Sequence, residues 1–475
     1  MSLPAFIRSK IICTIGPASS SIETLKAMKD AGMDVARINL SHGEPEDNRD
    51  LYNKLRLIGG LAILIDIPGP KIRLGEFHKT HTLREGDVVH FTIKKVTGTE
   101  KELPVSYPKL PREVREGGHV FINDGIIDVE VTGIDSDLKG FTGKIITGGE
   151  ISSRKGVNAP GAELTMRPPT EKDVRGIRFG VEVNCDWFAV SFIRSASDVE
   201  QVRKKIQEAG GDQPIISKIE HGDAVQNIKE IIATSDGIMV ARGDLGIEVP
   251  PWDVPLLQKK IIAACNRRGR PVIVATQMLE SMTSNPRPTR AEANDVANAL
   301  LDGADAVMLS GETAIGDYPI EAVRVMNNIG WVVQEQIKET EHPRLKGLPI
   351  TDVIGDLANR AVEAVEPAAI IVVTRSGVSA LMVSKHRPKT RILTVARDPR
   401  ISRRMHLYWG VYPMDVEWTE DRDRLITRAI KKSLEEEYIY KEDVITVVSG
   451  STLIDPGKTS TLEILRVQDV LEREA

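Results

Sequence analysis

Gly237-Ile-Met-Val-Ala241, Pro271-Val-Ile-Val-Ala-Thr276 and Ala306-Val-Met-Leu309 are short apolar runs separated by amphipathic stretches at 256–268 and 290–301. Their apolar residues are consecutive rather than alternate, so a strand built from each buries both faces. That is the mark of parallel strands covered by helices. Working outward, the same rhythm recurs at 10–15, 35–40, 61–67, 187–192 and 215–219, with further helical periodicity at 21–31 and 198–208. Eight such units predict an α/β fold closed into a (β/α)8 TIM barrel. The alternative is an open doubly wound sheet, which usually has fewer strands and a Gly-rich phosphate turn near its start; no G-x-G-x-x-G occurs here.

One interval breaks the rhythm: about 120 residues separate the third and fourth strands. Within it, Asp87-Val-Val-His-Phe-Thr-Ile, His119-Val-Phe-Ile-Asn, Ile127-Asp-Val-Glu-Val and Phe141-Thr-Gly-Lys-Ile-Ile read as short strands of an inserted small all-β barrel domain. An insertion after a barrel strand stands over the face where barrel active sites form, and so can act as a lid. After Pro343-Arg-Leu-Lys-Gly the α/β rhythm resumes, with helices expected at 352–365, 379–386 and 422–436 and strands at 369–374, 392–396 and 444–449. The expected domains are a catalytic barrel of 1–70 and 158–342, a lid of 71–157, and a C-terminal α/β domain of 343–475.

The 475 residues carry 63 Lys+Arg against 68 Asp+Glu, a net charge of −5, so no general electrostatic pull toward nucleic acid or anionic membranes is expected. No apolar run approaches the roughly 20 residues that cross a bilayer, and no signal segment opens the chain; a cytoplasmic protein is expected. Cys13, Cys185 and Cys265 lie far apart, which argues against disulfides or a cysteine zinc site and for small core residues.

Polar residues at the C-terminal strand ends are the default catalytic candidates of a barrel. They are Arg37, Asn39, Ser41 and His42 after the second strand, Asp66 after the third, Lys218 and Glu220 after the fifth, Arg242-Gly243-Asp244 after the sixth, Thr276-Gln277 after the seventh, and Ser310-Gly311-Glu312 after the eighth. Glu220 and Asp244, on neighbouring strands, suit a hard divalent cation, while Arg37, Arg73 and Lys218 suit phosphoryl oxygens. Together these describe phosphoryl transfer. The competing reading is a structural salt-bridge network of the two acids with Lys218 and Arg242.

The segments Val35-Ala-Arg37-Ile-Asn39-Leu-Ser41-His42-Gly43, Ser217-Lys218-Ile-Glu220, Met239-Val-Ala-Arg242-Gly243-Asp244-Leu-Gly246, Ala275-Thr276-Gln277-Met278-Leu-Glu-Ser-Met and Met308-Leu-Ser310-Gly311-Glu312-Thr313-Ala314 resemble the pyruvate kinase family in order and spacing. The resemblance covers nearly the whole chain. It implies glycolytic transfer of phosphate from phosphoenolpyruvate to ADP, giving pyruvate and ATP, with the enolate protonated at the end. It further implies Mg²⁺ or Mn²⁺ on Glu220 and Asp244, Lys218 beside the phosphoryl group in flight, and Arg37 on phosphate. The substrate carboxylate would meet the N–H groups of Gly243 and Asp244 and the Thr276 hydroxyl, and Asn39, Arg73 and Lys155 would reach the nucleotide phosphates. Proton delivery to the enolate stays open between Thr276 and Ser310 with Glu312. A homotetramer is the family's usual assembly. Rival readings are a nucleotide-independent phosphoenolpyruvate or enolate barrel enzyme, distinguished by Arg73, Lys155 and the lid, and a noncatalytic metabolite sensor, expected to lose Lys218 or a metal carboxylate.

One departure stands out. Many members read Asp-Thr-Lys-Gly-Pro-Glu-Ile-Arg where this chain has Asp66-Ile67-Pro68-Gly69-Pro70-Lys71-Ile72-Arg73. In those members the equivalents of Asn39, Ser41 and Asp66, with a backbone carbonyl here assigned to Ile67, bind K⁺. With Lys71 in place of the Glu, the ammonium is expected to replace the ion and remove the K⁺ requirement; the bland reading is a lysine in solvent at the hinge. In the C-terminal domain, Thr374-Arg375-Ser376-Gly377-Val-Ser379 resembles a loop that holds a phosphorylated effector in many members, with 449–461 as its partner loop, beside the plainer reading of a capped helix start. Gly457-Lys458-Thr459 fails the P-loop spacing. His78 and His81 lack a third ligand, and Trp252 and Trp409 read as packing residues.

Overall fold

Side chains along each barrel strand alternate between two cores. Ile11 and Cys13, Ile63 and Ile65, Ile238 and Val240, and Val272 and Val274 pack with helix residues such as Leu25, Met28 and Ile261. The intervening Ile12, Val35, Leu64, Trp187, Ile216, Met239, Ile273 and Met308 fill the barrel interior. This is why the runs read as apolar throughout. The computed structural model describes residues 6–41, 43–337, 348–450 and 459–473.

The eight strands, Lys10–Thr14, Val35–Asn39, Ala62–Ile67, Trp187–Val190, Ile215–Ile219, Gly237–Ala241, Val272–Ala275 and Ala306–Leu309, run parallel in sequence order, and the last pairs with the first at Lys10↔Ala306. That closure decides between barrel and open sheet. Helix starts are set by side chains that accept from the first-turn N–H groups: Ser21, and the capping boxes Thr170/Asp173, Ser195/Asp198 and Thr289/Glu292. The Val254–Arg268 helix stops at Gly269, whose φ of 63° is left-handed.

The insertion leaves the third strand at Pro68-Gly69-Pro70 and forms a seven-stranded sheet around Phe91, Val120, Val129 and Phe141, with the two phenyl rings stacked at 4.5 Å. Its entering and returning strands, Ile72–Arg73 and Gly156–Asn158, pair antiparallel and form the hinge. The C-terminal sheet has the order Val411–Pro413, Arg391–Ala396, Ala369–Thr374, Val444–Gly450, Thr459–Arg466, the last strand antiparallel. Its two edge strands escape a reading based on apolar runs: one is three residues long, and the other, Thr-Ser-Thr-Leu-Glu-Ile-Leu-Arg, is half polar because one face is wet.

This last unit is bolted to the N-terminal end of the barrel. Arg387 reaches Asp305 at 2.7 Å in a buried pair, and Trp409 lies between the guanidinium groups of Arg8 and Arg387, 5.5 and 5.1 Å from its ring centre. Buried Asp186 is shared by Arg56 at 2.7 Å and Arg403 at 2.9 Å. Trp409 packs as expected. Trp252 does not: it lies in the Pro251–Asp253 turn before the Val254–Arg268 helix and is 76% exposed. No described helix is long and apolar enough to cross a membrane, and all three cysteines are buried and free.

Candidate active site

The alternation that fills the barrel ends in a polar layer. Two residues beyond Ile12, Val35, Leu64, Ala189 and Ile216 stand Thr14, Arg37, Asp66, Ser191 and Lys218, all facing inward at the C-terminal mouth. Arg37 donates from Nε to Asp66 Oδ2 at 2.8 Å and from Nη1 to Thr14 Oγ1 at 2.8 Å. Lys218 Nζ donates to Ser191 Oγ at 2.7 Å, lies 2.8 Å from Glu220 and stands 3.6 Å from Asp66. Burial pulls the Lys218 ammonium's pKa down, but Asp66 and Glu220 more than offset it, so the net shift is upward and the charge is retained. Glu220 also accepts from Phe192 N at 2.8 Å. Burial, with Asp244 adding to it and Lys218 opposing, holds its carboxyl above the usual range.

Asp244 lies in the first turn of the Arg242–Glu248 helix. The donor set of Glu220 and Asp244 fits a hard divalent ion: two carboxylate oxygens from adjacent strands, the rest left to waters and substrate phosphates, as Mg²⁺ prefers. Among the described residues no group of three or more His, Cys, Asp and Glu side chains forms a fuller cage. Arg242 does not join these acids. It pairs with Asp295 at 2.7 Å and donates to the Thr276 and Gln277 carbonyls, so the four-residue salt-bridge network is not formed. Lys218 alone pairs with Glu220.

A cavity of about 320 Å³ gathers Arg37, Asn39, Ser41, Lys71, Arg73, Lys155, Lys218, Glu220 and Asp244, joined by Asn123, Asp124 and Arg154 of the lid. Gly243, Thr276, Ser310 and Glu312 are not on its wall; Gly243 and Gln277 line a neighbouring cleft of about 1000 Å³ that shares Asp124 with it. The Gly243 N–H donates to Thr276 Oγ1 at 2.8 Å, and that hydroxyl donates to the Ala275 carbonyl at 2.6 Å. A Cβ on Gly243 would make only ordinary contact with Thr276, so nothing in the chain itself demands glycine there. Glu312 does not bond the Ser310 hydroxyl; its carboxylate accepts from the Leu279 and Ser310 N–H groups at 3.1 and 2.7 Å, leaving Ser310 Oγ buried without a partner.

Lys71 differs from expectation. Its ammonium stands 3.4 Å from Asp244 and 3.7 Å from Asp124, not on Asp66, which Arg37 and Lys218 already face. Asn39 accepts from Ser41 N at 3.1 Å, and the Ile67 carbonyl accepts from Ser191 N at 3.1 Å. Arg73 donates to the Arg154 carbonyl at 3.0 Å. His42 lies outside the described residues.

Comparison with known proteins gives the family. The family model for the pyruvate kinase barrel domain matches residues 6–323, and that for the pyruvate kinase alpha/beta domain matches residues 352–465. The chain belongs to the pyruvate kinase family. It is 40% identical over 98% of its length to a pyruvate kinase of Bacillus licheniformis, 39% over 98% to that of Geobacillus stearothermophilus, and 38% over 97% to that of Staphylococcus aureus strain MRSA252. It covers 81% of each of these relatives. Family membership makes the chain a phosphotransferase and leaves the nucleotide-independent and sensor readings without support; the family uses a divalent metal ion.

Ser191, Thr14 and Asp124 were not singled out by the sequence. Ser191 lies just past the observed strand Trp187–Val190, inside a strand expected to run to Phe192, and its position two residues past Ala189 is the signal the sequence offers. In the C-terminal loop, Gly377 starts the Val378–Ser384 helix at φ 84° and donates to Thr374 Oγ1 at 3.0 Å. Ser379 bonds Thr459, and Arg375 pairs with Glu420 at 2.9 Å. These hydroxyls are engaged internally, and the helix starts at Gly377 without the side-chain cap that the plainer reading expects. Residues 451–458, most of the partner loop and part of Gly457-Lys458-Thr459, lie outside the described residues.

Lys218→Met leaves Asp66 with Arg37 alone and Glu220 without a cation. Because the carboxyl of Glu220 is already raised in the folded state, its ionisation costs stability as pH rises, and more so without Lys218. We expect a loss of about 3 kcal/mol at pH 8 and a smaller one at pH 5, read from denaturant midpoints. Equal losses at both pH values would show that Glu220 does not carry this charge.

Proposed function

We propose that the cavity at the barrel mouth is where the family's reaction runs, transferring the phosphoryl group of phosphoenolpyruvate to ADP to give pyruvate and ATP. The observation that carries this is its lining: Arg37, Lys71, Arg73, Arg154, Lys155 and Lys218 against only Asp124, Glu220 and Asp244, an excess of positive charge shaped for several phosphates. In this reading Glu220 and Asp244 hold Mg²⁺ or Mn²⁺, and the bound ion supplies charge neutralisation to the phosphoryl group and to the enolate oxygen as it forms. Lys218 and Arg37 bind the phosphoryl oxygens. The N–H groups of Gly243 and Asp244, with Thr276, orient the substrate carboxylate, which accounts for a glycine that the chain's own packing does not require. Asn39, Arg73 and Lys155 receive the nucleotide phosphates. For the enolate's proton the two candidates are Thr276, whose hydroxyl donates to the Ala275 carbonyl, and the buried, unpartnered Ser310 hydroxyl, whose backbone N–H Glu312 holds.

The same proposal divides the chain at 1–70 with 158–342, 71–157 and 343–475, places it in the cytoplasm in keeping with its three free buried thiols, and leaves a phosphorylated effector at 374–379 as a secondary reading. The deciding measurement is a coupled assay of pyruvate formation with Mg²⁺, with and without ADP. Formation should require both, and Glu220→Gln and Asp244→Asn should each shift the Mg²⁺ titration. Pyruvate release independent of ADP would overturn the assignment.

Activity without K⁺ belongs to this reading too, by a route other than direct substitution of the ion. Lys71 supplies a permanent charge beside Asp244, and Asp66 is already neutralised by two cations. Titration of KCl against a tetramethylammonium salt at constant ionic strength should leave the native rate unchanged and reveal a requirement in Lys71→Glu. Strong activation of the native protein by K⁺ would refute it.

A homotetramer, which the family resemblance implies, belongs to this reading as well. Light scattering at micromolar concentration should give four chains, and a monomer would rule this out.

A further inference from the structure

The Arg242–Glu248 helix meets the lid along one stripe. Asp244, Ile247 and Glu248 are spaced i, i+3, i+4 and so share a face. Asp244 Oδ1 lies 3.4 Å from Lys71 Nζ, at the foot of the lid. Ile247 packs on Gly125 in the lid turn, where an added Cβ would come within 3.3 Å of Ile247 Cγ1. Glu248 Oε1 accepts from Asn158 Nδ2 at 3.2 Å, and Asn158 ends the strand by which the chain returns from the lid. Glu248 is buried, with a side chain only 4% exposed, at a small cavity between hinge and barrel, beside the equally buried His221, whose Nε2 lies 3.3 Å away without a hydrogen bond.

A seven-residue helix that touches the lid turn through Ile247 and the hinge strand through Glu248, and carries Asp244 in its first turn, passes a displacement of the hinge on to that first turn so long as the helix stays intact. We propose that Glu248 is a positioning residue that couples the lid to the divalent-metal site: through the Asn158 bond, the lid's position sets where Asp244 points. This rests on the reading of Asp244 and Glu220 as metal-holding residues. It differs from a merely structural role because coupling between two sites is reciprocal, so the metal must stiffen the hinge as much as the hinge strengthens the metal.

The test uses the full chain with Mn²⁺ alone, free ion counted by electron paramagnetic resonance, and amide exchange followed over residues 156–159. Glu248→Ala and Asn158→Ala should each weaken Mn²⁺ binding about fivefold, the low end of site-to-site coupling, whereas Glu248→Gln, which keeps an acceptor for Asn158, should stay within about twofold of native. Mn²⁺ should slow exchange at 156–159 in the native chain and not in Asn158→Ala. Should Glu248→Ala fail to fold, Asn158→Ala still decides. Native-like Mn²⁺ affinity in Asn158→Ala, with exchange slowed as in the native chain, would overturn the coupling. A Glu220→Gln control with unchanged Mn²⁺ binding would instead remove the metal-site reading and this inference with it.

Discussion

Asp66 is 1% exposed, and a lone carboxylate so deep in a barrel would cost several kcal/mol in desolvation. Arg37 at 2.8 Å and Lys218 at 3.6 Å make it tolerable, and in exchange it holds both cations inside the mouth. Everything at the site hangs from this. Arg37 is further fixed by Thr14 on the first strand, and Lys218 by Ser191 and Glu220, so one buried acid ties together residues from the first, second, third, fourth and fifth strand ends. A surface ion pair is too weak and too mobile to give such fixed positions; a buried, fully bonded one sets a single geometry.

The charge held there is unevenly neutralised. Lys218 answers Glu220 and Lys71 answers Asp244, yet both acids belong to a cavity where cations predominate. The donors at the mouth are thus already oriented by folding, which is what the proposed phosphoryl transfer requires. The lid completes this arrangement from the other side. Its hinge is a two-strand pairing a few residues long, and its turn at Asn123-Asp124-Gly125 carries an acid shared by both clefts.

At the opposite end of the barrel the buried pairs Arg387–Asp305 and Arg403–Asp186 and the Trp409 sandwich join the C-terminal sheet to the bases of the strands. These contacts lie beneath the hydrophobic plug of Trp187, Leu64 and Ile216. The polar cluster and the domain attachment are therefore segregated to the two mouths, as activity and stability are in barrels generally.

By itself the sequence determined the eight strands, since consecutive apolar runs between amphipathic helices have no other economical burial, and it determined the residues at their ends, because strand register follows from the run itself. Arg37, Lys218, Glu220 and Asp244 were legible for that reason. The long motifs also made the family legible. Tertiary structure alone decided which partners those residues take. Arg242 turned to Asp295, Glu312 to backbone N–H groups and Lys71 to Asp244, because a long flexible side chain at a crowded mouth settles by distances across strands that no spacing along the chain encodes. Ser191 was missed on the same ground: its role comes from standing beside Lys218 on the neighbouring strand, 27 residues away in the chain and 2.7 Å away in space. Trp252 differs again, for whether an aromatic in a turn is core or surface depends on what the packed structure brings against that turn.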